Sequence, residues 1–93
     1  MPRPSRLPED EIARRLPGLP GWKRNGERLE RTYTFETFPK AIAFVNRVAE
    51  IAESLDHHPD ITINYTKVTL VVTTHDASGL TASDFTLATR IDA

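Results

Sequence analysis

Residues 22–50, WKRNGERLERTYTFETFPKAIAFVNRVAE, change their periodicity part-way along. In the first half Asn25-Gly26 stands between two extended runs, a strong short-range signal for a β-hairpin. From Thr37 onward apolar residues recur at helical spacing. Phe38, Ile42, Val45, Val48, Ala49, Ala52 and Leu55 form one stripe, with Lys40, Arg47, Glu50 and Glu53 mostly away from it. Thr37 suits the N-cap, and Pro39 is tolerated in a first turn. The helix is expected to end near Asp56, because Pro59 disfavours helical geometry in the residue before it. Two strands and a long helix are therefore predicted from this stretch and the nine residues after it.

Working outward, PEDEIARRL (8–16) places three acidic residues before two arginines, the order a helix dipole favours, with Ile12 and Leu16 a turn apart. Downstream, Ile61, Ile63 and Tyr65 alternate with polar neighbours. Val68, Leu70 and Val72 do the same in a run that closes at His75. Thr81 precedes Asp84 by three residues, close to a capping box, and Phe85, Leu87, Ala88 and Ile91 give a last helix its packing face. The order is α-β-β-α-β-β-α. Two hairpins imply an α+β fold, an antiparallel four-stranded sheet with its helices on one face. The chain reads as one domain over 1–93, with 1–7 as a flexible tail.

Composition narrows the functional classes. Ninety-three residues support a single core, and a formal net charge of -1 leaves no basic field for a phosphate backbone. Direct nucleic-acid binding is not expected. The absence of cysteine removes disulfides, thiolate nucleophiles and zinc ribbons. No run is long enough to span a bilayer, and the opening residues lack a secretory apolar stretch, so a soluble, cytoplasmic protein is expected.

Two of the three histidines stand together in ESLDHHPD (53–60), at the expected end of the long helix. Imidazole titrates near neutrality, so it can give a proton in one step and recover it in the next. A helix C-terminus, together with Glu53, Asp56 and Asp60, favours its protonated form. Such a pair can equally serve as a C-terminal cap and polar loop. His75, at a strand end, is equally ambiguous. Three imidazoles also describe one type of zinc centre, but adjacent side chains point apart, whereas helical zinc ligands lie a turn apart. No metal is expected. No nucleophile elbow surrounds Ser54, Ser78 or Ser83, and no phosphate loop is present. Asp84 reads first as a helix cap, and Trp22 and Tyr65 as core or rim aromatics.

From the PGW turn onward the chain resembles the pterin-4a-carbinolamine dehydratases. Glu53, His57, His58, Pro59, Tyr65, His75 and Asp84 fill that family's signature in order, and the surrounding THDASGLTASD (74–84) is similar to its usual text. The resemblance implies dehydration of 4a-hydroxytetrahydropterin to quinonoid dihydropterin, a hydro-lyase step in tetrahydrobiopterin recycling. It implies His57 and His75 as general acids, with His58 orienting the pterin or accepting a proton. Glu53, Asp56, Thr74 and Asp76 would bind the substrate or support the imidazoles, with Tyr65 and Asp84 architectural. It further implies a homodimer or homotetramer and a pathway link to aromatic amino acid hydroxylases. Because animal members also act as dimerisation cofactors of a transcription factor, a non-catalytic interaction module is the alternative.

Overall fold

In the computed structural model, which describes residues 5–93, the first hairpin forms where expected. Strand β1 is Lys23–Asn25 and β2 is Arg28–Thr34, with Asn25 paired to Arg28. The turn therefore lies one residue later than the Asn-Gly pair suggested. Gly26 takes its first central position at φ 63°, a conformation open to glycine without steric cost.

Helix α1 is Glu9–Arg15, with its acidic residues in the first turn and its arginines in the last. Helix α2 is Phe38–Leu55, and the Thr37 hydroxyl accepts from the Lys40 amide at 3.2 Å. Strands β3 (Asp60–Asn64) and β4 (Lys67–Val72) form the second hairpin, and α3 is Ala82–Asp92. Two expected strand ends are corrected. Tyr65 lies in the β3–β4 turn at φ 55°, and β4 stops at Val72, with His75 opening a 3₁₀ turn over His75–Ala77. Periodicity carries no signal for such breaks, because alternation continues through a tight turn.

Every pairing is antiparallel, and the sheet order is β1-β2-β4-β3. With β4 inserted between them, β2 and β3 run in the same direction and α2 crosses from one to the other. On the inner face Leu29, Val68, Leu70 and Val72 are fully buried, in one core cluster with Ala41, Val48 and Ala52 of α2 and Phe85, Leu87, Ala88 and Ile91 of α3. The other face carries a cross-strand row of Thr32, Thr69 and Thr62.

Of the tail expected over 1–7, residues 1–4 lie outside the described residues. The Leu7 amide donates to the Leu80 carbonyl at 2.8 Å, and Arg6 pairs with Glu27 at 2.5 Å. Among the described residues no helix is long and apolar enough to cross a membrane.

Candidate functional site

The end of α2 sets the first imidazole. Asp56 takes a left-handed conformation (φ 49°), so its amide reaches the Glu53 carbonyl at 3.2 Å and the His57 amide reaches Ala52 at 3.1 Å. This is a Schellman closure. The chain reverses there, and His57 turns inward, its side chain only 15% exposed, with Nε2 at 2.6 Å from Asp84 Oδ1.

Asp84 comes from the first turn of α3 and is completely buried. Its Oδ2 accepts from the Thr81 amide at 2.9 Å, while the Thr81 hydroxyl accepts from the Ser83 amide at 3.2 Å, a capping box. The cap expected of Asp84 is present, and the same carboxylate also receives His57. Oδ2 accepts a second hydrogen bond, from the Thr74 hydroxyl at 2.8 Å, and Thr74 Oγ1 lies 2.8 Å from Thr81 Oγ1.

Thr74 is the residue before His75. Its backbone pairs with Gly79 in both directions, at 3.2 and 3.3 Å, which closes a loop that leaves His75 and Asp76 exposed. One buried carboxylate thus ties the end of α2, the segment after β4 and the start of α3. His58 stands apart from that network, exposed and 3.6 Å from an exposed Glu53. Asp56 is exposed and serves as the left-handed cap. No hydrogen bond joins any two of the three histidines among the described residues.

A depression of about 160 Å³ opens beside His57, bordered by Leu55, Ala82, Ser83 and Thr86. A roomier groove at the far end of α3, between Leu19, Arg31 and Asp92, contains no imidazole and no catalytic pairing. The chemistry places the candidate site at the smaller one. No group of three or more His, Cys, Asp or Glu among the described residues is placed to hold a metal ion. Tyr65 is 71% exposed and stacks on Phe38 at 6.3 Å, whereas Trp22 is buried and donates to Asp92 at 2.8 Å. The contact between Thr81 and Thr74 and the second use of Asp84 escaped the sequence reading. The spacing of Thr81 and Asp84 signalled a cap, and nothing local signals that His57 approaches it from 27 residues away.

Residues 5–93 match the family model described as pterin 4 alpha carbinolamine dehydratase. A protein of Thermomicrobium roseum, provisionally named a pterin-4-alpha-carbinolamine dehydratase, is 53% identical over 87 residues, 94% of each chain. One of Roseiflexus with the same provisional name is 54% identical over 95% of each. The crystal structure of a transcriptional coactivator/pterin dehydratase from Brucella melitensis has a TM-score of 0.90 at 33% identity, covering 95% of this chain and 96% of that one. A pterin dehydratase-like protein identified as a RuBisCO assembly factor shares the fold, with a TM-score of 0.62 at 19% identity, covering 76% of this chain and 82% of that one.

Proposed function

Because the chain belongs to the pterin-4-alpha-carbinolamine dehydratase family, we propose that it dehydrates 4a-hydroxytetrahydropterin to quinonoid dihydropterin in cytoplasmic tetrahydrobiopterin recycling. The observation that carries this reading is the buried Asp84, which binds His57 on one oxygen and the residue preceding His75 on the other.

The reaction breaks the C4a–O bond and loses a proton from N5. The N5 lone pair forms the C4a=N5 bond as the hydroxyl departs, so the oxygen must be protonated to leave as water. In this reading His57 and His75 supply that proton, and His58 orients the pterin or accepts the proton from N5. Glu53 supports His58, while Asp56, Thr74 and Asp76 bind or support from the turns that carry the histidines. No metal or redox cofactor is needed, because the step is a proton transfer at each end of one elimination.

The test generates the carbinolamine in a coupled aromatic amino acid hydroxylase reaction and follows quinonoid formation. His57→Ala, His58→Ala and His75→Ala are expected to lose roughly 100- to 10,000-fold in rate where the lost imidazole transfers a proton. Unchanged rates in all three, with folding intact, would return the histidines to a structural role. A homodimer or homotetramer is part of the same proposal. It is supported by β3, an edge strand whose Ile63 is 42% exposed. The Brucella melitensis relative's name gives a second reading, a transcriptional coactivator. Capture of a transcription factor by a catalytically silent protein would favour it.

A further inference from the structure

With Asp84 ionised, the hydrogen bonds around it have one consistent direction. The Thr81 hydroxyl oxygen accepts from the Ser83 amide, which leaves its hydrogen for Thr74 Oγ1 at 2.8 Å. Thr74 has one hydrogen of its own; the ionised Asp84 Oδ2 at 2.8 Å has none to give, so it receives that hydrogen and Thr74 accepts from Thr81. The Thr81 amide, always a donor, takes the same oxygen at 2.9 Å. Both oxygens of the ionised carboxylate accept, and the group facing Oδ1 is His57 Nε2 at 2.6 Å. An ionised carboxylate only accepts, so Nε2 carries a proton. The partner of one ring nitrogen decides the state of the other.

We propose that Thr74 is a positioning residue. Its hydroxyl, ordered by Thr81, fixes Asp84 so that His57 is held as the Nε2–H tautomer, and Nδ1 is the atom through which His57 exchanges protons with its ligand. The last clause rests on the dehydratase reading; the tautomer does not. Thr74 is 6% exposed and Thr81 and Asp84 are fully buried, so water does not substitute for the missing partner if one member is removed. A purely structural Thr74 would act through helix capping alone and leave His57 unaffected.

The test has two independent readouts. In the ¹⁵N-labelled protein without ligand, long-range ¹H–¹⁵N spectra of neutral His57 are expected to show a pyrrole-like Nε2 and a pyridine-like Nδ1. An Nδ1–H signature would overturn the proposal whether or not the protein is a dehydratase. In the dehydration assay Thr74→Val is expected to lower kcat about tenfold with KM little changed, as a buried acceptor loses its donor. It should also introduce the second His57 tautomer, and Thr74→Ser, which keeps the hydroxyl, should restore both. Thr74→Val with wild-type kcat and an unshifted His57 spectrum would sink it. If the wild type shows no dehydratase activity but the tautomer responds to Thr74→Val and recovers in Thr74→Ser, the functional reading falls and the positioning role stands.

Discussion

At position 84 one carboxylate serves two tasks, and only one of them was legible. The three-residue interval from Thr81 identifies the cap, because both partners lie in the same helical turn. The bond to His57 depends on where the end of α2 meets the start of α3, which no local pattern encodes. Tyr33 raises a similar problem. It sits in a strand pattern, yet its hydroxyl donates to Asp92 at 2.5 Å, and its ring packs at 4.5 Å from Phe44 beneath the Arg31 guanidinium. Burial, followed by the hydrogen bond to the Asp92 carboxylate, pushes the phenol well above its ordinary value. A raised folded-state value means that the neutral phenol contributes stability in full below its unfolded value of about 10. That contribution is lost as pH rises from there through the folded value. Thermal unfolding followed from pH 8 to 11 is expected to fall more steeply for wild type than for Tyr33→Phe. Parallel curves would mean that Tyr33 contributes nothing to the alkaline loss.

Among the elements, α2 was read almost to its limits because both ends carry chemistry of their own. Thr37 accepts from the Lys40 amide, and Asp56 lies in the left-handed region where the helix stops. The stop is set by that cap, ahead of Pro59. An L-residue in this conformation costs more than glycine, though aspartate tolerates it better than most. Asp56→Gly is therefore expected to stabilise the fold by about 0.5–1 kcal/mol, the left-handed penalty of an L-residue less the extra chain entropy that glycine loses, seen as a higher urea midpoint at unchanged slope. A lower midpoint would show that the Asp56 carboxylate has a stabilising role beyond the cap. Strand ends were less legible, since Tyr65 continues the alternation of β3 while standing in the turn at φ 55°.

For the molecule as a whole, the element order and antiparallel pairing could be read from hairpin signals, but the strand order could not. Turns specify which neighbours in sequence pair; only core packing places β4 beside β2. The same sheet order leaves β3 at an edge, with Ile63 and Phe38 partly exposed and Tyr65 largely so. If the chain assembles as proposed, sedimentation equilibrium at micromolar concentration should give at least twice the 10.5 kDa chain mass. A monomer throughout that range would remove the oligomer from the proposal.

The insertion of β4 between β2 and β3 also has a kinetic consequence. Each hairpin closes over a two-residue turn, but Thr32 meets Thr69 across 37 positions, so joining the halves carries the larger loop-closure entropy. Asp84 finds Thr74 and His57 only when β4 and both later helices have docked. If the chain is a dehydratase as proposed, recovered activity after dilution from denaturant should accordingly trail the return of secondary structure, and serve as a clock for the final assembly step.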